Sequence, residues 1–430
     1  MFTHVPYGNS QLEINLSDLH GCVDVLLPKK FDYKSDFSPG ELVENALSSP
    51  LGERDPFNRV NKNTTVAITV NDKTRPVPNS VLIAPLINRL IDRGVSKENI
   101  TLFIASGTHL PMQPDEFSKI LSDEIVKNFK IVAHDCDDNA NLYEIGLTNR
   151  NTHVFVNRDF YDHDLKIVVG DIELHHFAGY SGGVKSAAIG LTGRQTINAN
   201  HRLLLDPRST IAIYKENPLR QDIEEIGRLI GVDYALNAVL DENREILQVL
   251  FGESIQVMHA GVDLVNRLSQ VEIEAPYDLV IASAGGYPKD INLYQAQKAM
   301  THAAKFCKQK GQILLFAECR EGAGSQSYLD FMAGMSDPRQ VIEKFTRTGF
   351  SVGPHKAYQI ARIIEKHQVY IRSSMDDLLV RSLLLTPIPA EIPDLAQYIH
   401  RILPQVGRIA ILPYATACIP KLLGANYDER

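Results

Sequence analysis

The sequence predicts an α/β fold of two domains, with largely parallel sheets flanked by helices. Three observations carry this. Short β-branched apolar runs recur along the chain and end in polar or glycine-rich residues. Helical stretches lie between them, and strand–helix alternation is the α/β signature. A polar, proline-containing stretch, LSQVEIEAPYD (268–278), separates an earlier group of runs from a later one.

The first run is VAITVND (66–72), followed by the helical stretch NSVLIAPLINRLIDRG (79–94). ITLFIASGTH (100–109) and LKIVVGDIELH (165–175) come next. Beyond the polar stretch lie YDLVIASAGG (277–286), the helical YQAQKAMTHAAKFCK (294–308), QILLFAECREG (312–322) and RIAILP (408–413). Continuous apolar runs of this length are strands buried on both faces, and so belong to parallel sheet. With about 150 residues per domain as a prior, the 430 residues suggest two or three domains, and the polar stretch places a larger N-terminal α/β domain at 1–270, the candidate for the site read below, and a C-terminal α/β domain at 277–430. Residues 401–430 are left open to pack back on the first domain. A ligand site in the cleft between the domains is the natural expectation.

Composition narrows the partners. Hydrophobic and charged fractions of 44% and 22% are ordinary for a globular protein. A formal charge of −8 argues against nucleic acid and against anionic membrane as partners. Cys22, Cys136, Cys307, Cys319 and Cys418 lie far apart with no C-x-x-C pair, which suits reduced thiols in the cytoplasm. The start of the sequence has no charged region followed by an apolar stretch, and no segment reaches the roughly 18 apolar residues of a spanning helix. A cytoplasmic protein is expected.

Polar residues collect where the runs end, which is where open α/β sheets bind ligands. In NDKTRP (71–76), Arg75 offers a planar fork suited to a carboxylate, and Asp72 can orient it or bind a hydroxyl. A plain surface turn competes with that reading. His109 in SGTHLP (106–111) is a proton carrier beside small residues, or a structural hydrogen-bonder. In HHFAGYSGGVKSAAIG (175–190), Gly179, Gly182 and Gly183, with Ser181 among them, let backbone N–H groups approach a phosphate. Lys185 can then pair with the phosphate or act as a nucleophile. Val184 stands where a Walker A loop needs glycine, so a standard P-loop fails by one residue. The paired His175 and His176 suggest zinc, but neither H-x-x-x-H nor C-x-x-C accompanies them. His201, in INANHR, is a further imidazole able to bind metal or to sit in the core. In DINLYQAQKA (290–299), Asp290 or Asn292 caps a helix on which Tyr294, Gln295 and Lys298 share or border one face. GPHKAYQIAR (353–362) adds Tyr358.

Taken in order, NDKTRP, SGTHLP, HHFAGYSGGVKS, NANH, DINLYQAQKA and GPHKAY resemble the nickel-dependent lactate racemase family, over residues 66 to 362. The resemblance implies a 2-hydroxy acid racemase or epimerase, lactate being one candidate substrate. It implies a nickel-pincer nucleotide, the pyridinium-3-thioamide-5-thiocarboxylic acid mononucleotide with nickel, covalently linked to Lys185. His201 would complete the nickel coordination, and cofactor-biosynthesis proteins would be needed for activation. Inversion at C2 would run by hydride transfer to the cofactor and back, with His109 and His175 as the acid–base pair. Arg75, Gln295 and Lys298 look like the clamp on carboxylate and hydroxyl, with Asp72, Tyr294 and Tyr358 lining the site. The chain departs from the family pattern in two places. It has Ile189–Gly190 where relatives commonly have proline before glycine, and Tyr358 where some carry tryptophan. Lys73, beside Asp72, is a possible cation for a second substrate carboxylate or else a solvated lysine. Two other readings compete: a nucleotide- or phosphate-dependent transferase built on the glycine loop and Lys185, and a non-catalytic cofactor-binding homologue.

Overall fold

Three short strands open the chain: β1 (Phe2–Tyr7), β2 (Ser10–Asn15) and β3 (Cys22–Val25). A long alternating stretch follows, with α1 (Pro39–Ser48), β4 (Val66–Asn71), α2 (Asn79–Asp92), β5 (Ile100–Ala105), β6 (Lys130–Ala133) and β7 (Leu165–Asp171). Next come α3 (Arg194–Arg202), α4 (Pro218–Ile230), β8 (Tyr234–Leu240), β9 (Ile246–Glu253) and α5 (Ser254–Ser269). The last part holds β10 (Tyr277–Ser283), α6 (Leu293–Phe306), β11 (Cys307–Phe316), α7 (Pro338–Thr348), α8 (Pro354–Ile364), β12 (Gln368–Arg372), β13 (Thr386–Pro387) and β14 (Arg408–Leu412). This computed structural model describes residues 2–19, 21–29, 36–52, 55–58, 60–75, 77–241, 244–389, 395–402 and 407–423.

Two units divide the chain: a central unit, Phe31–Arg267, and a terminal unit, Met1–Lys30 with Leu268–Arg430. The central sheet has the order β9-β8-β7-β4-β5-β6 and is parallel except for the antiparallel β8–β9 pair. Every residue of β7 is buried, as an apolar run between two layers must be. The terminal sheet has the order β13-β12-β11-β10-β14-β3 and is parallel throughout.

The strands at 66, 100, 165, 277, 312 and 408 lie where the apolar runs place them. The boundaries do not. Residues 1–30 belong with the second unit, because β3 pairs in register with β14, Cys22 opposite Arg408 through Val25 opposite Ile411. Val5, Ile14 and Leu19 share a core with Leu279, Ile281 and Ile411. At the other end, β14 and Ile419–Leu422 stay in the terminal unit, the latter paired with Gln270–Ile273. The polar stretch 268–278 is therefore the end of α5, a short strand, Gln270–Ile273, and the start of β10.

Helix α4 shows why such segments fold locally. Asn217 caps it by accepting from the Arg220 N–H, and Pro218 supplies a helical φ at the first position. Gly231 closes it in the left-handed region at φ 77°. Asn292 caps α6 in the same way, its side chain accepting from the Gln295 N–H. Asp290 instead accepts the N–H groups of Gly8 and Glu318. Among the described residues, no helix is long and apolar enough to cross a membrane.

Candidate active site

Strands β7, β4 and β5 are neighbours in the central sheet, so the loops at their carboxyl ends converge. Asp72 follows β4 directly and is 3% exposed. Its carboxylate accepts from the Thr74 N–H at 3.0 Å, the Thr74 hydroxyl at 2.6 Å and His109 Nδ1 at 2.7 Å. Burial works against this charge, but the bonds from His109 and Thr74 outweigh it and hold the carboxyl below its ordinary value. An ionised Asp72 keeps the His109 proton on Nδ1, so Nε2 carries the lone pair of a base. Asp72 is thus committed behind the histidine, and not to Arg75 or a ligand hydroxyl as the sequence suggests. Arg75 is exposed on the same turn. Lys73 pairs with Glu116, which Lys119 also bonds at 3.0 Å. The surface reading of Lys73 therefore holds.

His175 has the opposite polarity. It sits 8% exposed on a tight hairpin, opposite Gly179. Its Nδ1 accepts the Ala178 N–H at 3.1 Å, which places the neutral ring's proton on Nε2. His175 stacks on His176 at 4.6 Å, and Phe177 meets both His175 and, at 5.2 Å, His201. His201, on α3, has Nδ1 3.1 Å from Asn200 Oδ1. That bond orients Nε2 as a metal ligand would be oriented.

The glycine loop serves the protein itself. Gly183 donates its N–H to Asn237 Oδ1 at 2.7 Å, and the Ser181 N–H goes to the Glu173 carbonyl at 2.9 Å. The Ser181 hydroxyl bridges the Asp171 carbonyl and the Glu173 N–H. Gly179 and Gly182 have φ of 76°, and a Cβ on Gly179 would lie 1.9 Å from the Ile213 carbonyl oxygen. Close approach to neighbouring protein is enough to account for Gly179, Gly182 and Gly183, and the Gly183 and Ser181 N–H groups are already spent within the protein. Two of the backbone donors that a phosphate cradle would use are therefore taken.

What the loop delivers is Lys185, at the start of the single helical turn Lys185–Ala188. Burial, then the charges of Arg75 and Arg220, bring its amine down to about 7, against the pull of Asp171 and Glu173. Burial and Glu173 in turn push the Asp171 carboxyl up. A lysine near neutrality is a nucleophile at physiological pH. The Gly107 N–H bonds the Gly190 carbonyl at 3.0 Å, tying the His109 loop to the end of the Lys185 turn. Ile189 donates its N–H to the Lys185 carbonyl at 3.0 Å, a bond that a proline there would forfeit.

In the terminal unit, Tyr294, Gln295 and Lys298 lie on the less buried side of α6, opposite Ala296, Ala299 and Met300. Tyr294 meets the His355 ring at 5.9 Å, and Lys356 Nζ lies 5.0 Å from its ring centre. Lys356 is buried, donates to Gln297 Oε1 at 3.1 Å, and burial followed by Lys298 lowers its pKa well below the usual value. Tyr358 does not join these residues. It is buried, stacked on Phe345 of α7 at 4.8 Å, with Arg362 5.6 Å from its ring. It is core, because its helical position turns it toward α7.

Residues 7–212 match the lactate racemase N-terminal domain, and residues 272–416 match the lactate racemase C-terminal domain. The lactate racemase of Thermoanaerobacterium thermosaccharolyticum is 30% identical over 389 residues, 89% of this chain and 91% of that one. The chain belongs to the lactate racemase family. The lactate racemase of Lactiplantibacillus plantarum is likewise 30% identical, over 87% of this chain and 88% of that protein. The lactate racemase apoprotein structure from T. thermosaccharolyticum superimposes with a TM-score of 0.88 at 27% identity, covering 98% of this chain and 100% of that one. A Thermotoga maritima protein at 17% identity shares the fold, with a TM-score of 0.62 over 90% of this chain and 98% of that one. As a member of the lactate racemase family the protein is an isomerase, a racemase. The non-catalytic reading falls with that membership.

Proposed function

We propose that the protein inverts C2 of a 2-hydroxy carboxylate, lactate or a close relative, using a nickel-pincer nucleotide held by Lys185 and His201. The supporting observation is a base, His109 on buried Asp72, hydrogen-bonded through its loop to the turn that carries a near-neutral lysine. The donor set suits such a group. A near-neutral amine can form a covalent bond to a carboxyl-derived carbon. Among the described residues the one trio of ligating side chains is Asp135, Cys136 and Asp137. His201 stands outside it, so a metal at His201 has to bring other donors with it, as a pincer does.

When bound, that cofactor supplies an electron-poor carbon beside nickel, able to accept the C2 hydrogen with its bonding electrons and to return it. The chain's own residues handle protons and charge. His109 Nε2 accepts the hydroxyl proton of one enantiomer while Asp72 steadies the imidazolium. His175, with the proton of its neutral ring on Nε2, is set to hydrogen-bond the developing oxyanion. To give it a proton outright the ring acts as the imidazolium and ends neutral, which requires Nδ1 to release the Ala178 N–H it accepts here. General acid–base help of this sort is worth roughly 10²–10⁴-fold. Arg75 is assigned to the substrate carboxylate, which its planar fork matches. Tyr294, Gln295 and Lys298 are assigned, by the family resemblance, to the substrate carboxylate and hydroxyl. Cofactor-biosynthesis proteins are the partners this scheme requires, and a cytoplasmic location suits it.

The test is chiral analysis of 2-hydroxy acids incubated with protein loaded with the cofactor, together with intact mass. Wild-type protein carries an adduct at Lys185 and equilibrates the two enantiomers. His109→Ala and His175→Ala keep the adduct and lose turnover. Racemisation surviving in either variant would refute the two-histidine scheme.

A further inference from the structure

Asp222, on α4, is completely buried. Its carboxylate accepts the Thr148 hydroxyl at 2.6 Å, the Thr152 hydroxyl at 2.9 Å and Asn200 Nδ2 at 2.9 Å. All three donors are neutral. The buried guanidinium two positions earlier on the helix, Arg220, is matched by Glu224 at 2.6 Å. Keeping a carboxylate inside on neutral donors alone is costly, and an apolar side chain would serve stability better. The charge needs another explanation, and the third donor provides one.

Asn200 Nδ2 is shared between Asp222 Oδ2 and the Leu219 carbonyl, at 2.9 and 3.1 Å. Both partners are acceptors, so the amide cannot flip, and its oxygen must face His201. His201 Nδ1, 3.1 Å away, must then be the protonated nitrogen. We propose that Asp222 is a positioning residue for the metal at His201, acting through Asn200 to fix the imidazole tautomer and aim Nε2 as a ligand. The carboxylate also sets an inward negative charge behind the cation that Nε2 would meet. Ligating histidines are commonly oriented by a carboxylate or carbonyl on their far nitrogen; here an amide carries that influence one residue further. The proposal rests on the reading that His201 holds nickel.

The test uses cofactor-loaded protein dialysed against a chelator, with nickel measured by metal analysis and the Lys185 adduct by intact mass. Asp222→Asn should weaken nickel binding by about 10–100-fold, the cost in affinity when orienting partners are lost, read here as faster loss of nickel to the chelator while the adduct mass persists. Asn200→Leu should match it, and decides the matter if Asp222→Asn does not fold. Thr148→Val with Thr152→Val breaks the other two bonds to Asp222. That pair should lower the melting temperature without changing nickel release, which separates orientation from mere support. Wild-type nickel retention in Asn200→Leu or in folded Asp222→Asn overturns the relay. Wild-type protein that carries neither adduct nor nickel overturns instead the functional reading beneath it.

Discussion

Burial and the charges of Arg75 and Arg220 bring the Lys185 amine to about 7, whereas an ordinary exposed lysine titrates near 10.4. At pH 7 about half of the Lys185 population is therefore free amine, against roughly one in a few thousand for an exposed lysine. In protein made without cofactor, acylation of Lys185 should rise through pH 7 and level off near pH 8. Exposed lysines should keep climbing past pH 9. Peptide mass spectrometry after brief acylation at each pH measures this; a Lys185 profile parallel to the exposed lysines would remove the case for a tuned amine. Lys185 and His109 stood out in the sequence because each is a polar residue in a loop after an apolar run; His201, on helix α3, stood out only through the family resemblance. The commitments of Asp72 and Ser181 were not. Asp72 meets His109 37 positions away, and nothing in NDKTRP announces that partner. The glycines invited a phosphate because positive φ and close approach look the same in sequence whether the neighbour is a ligand or Ile213.

Helix α4 is where element packing governs the site. Arg220, Glu224 and Gly227 are spaced to share one face. Arg220 donates to the carbonyls of Tyr180 and Gly182 at 3.1 and 3.2 Å, and Glu224 locks the guanidinium. One turn on, Gly227 lets the helix close onto Val184, the residue before Lys185. A Cβ there would stand 2.4 Å from the Val184 Cβ. In an unconstrained helix interior, glycine to alanine gains about 1 kcal/mol. Here overpacking, worth about 1–3 kcal/mol, opposes that gain and reverses its sign. Gly227→Ala should lower the denaturant midpoint and displace the Lys185 turn, slowing adduct formation. A midpoint at or above wild type would show that Val184 yields without cost. Strands β4, β5, β7, β10, β11 and β14 were legible because continuous apolar runs have few other uses, whereas strands β3, β6, β8, β9, β12 and β13 were not. Helix α4 was not, since its pattern is that of an ordinary amphipathic helix and its function lies in which loops it touches.

The chain as a whole passes from one unit to the other after residue 30 and back after residue 267. Only the second passage left a trace in the sequence, the polar stretch at 268–278. The first is hidden because β1–β3 are short and precede any alternation, and the partner of β3 lies almost 400 positions away. The consequence is that the amino terminus supports the carboxy-terminal sheet. Deleting residues 2–29 removes β3 from the edge beside β14 and takes Val5, Ile14 and Leu19 out of a core shared with Leu279, Phe316 and Ile409. Three buried aliphatic side chains at about 1.5–3 kcal/mol each approach the whole stability of a typical domain. Hydrogen exchange should therefore show the amides of β10 and β14 losing protection in the deletion, while those of β4, β7 and β8 keep theirs. The opposite pattern, with exchange rising in the central sheet and unchanged in the terminal one, would mean that these strands belong to the first unit after all. Equal loss in both sheets would mean that the two units unfold as one, so that their stabilities cannot be assigned separately.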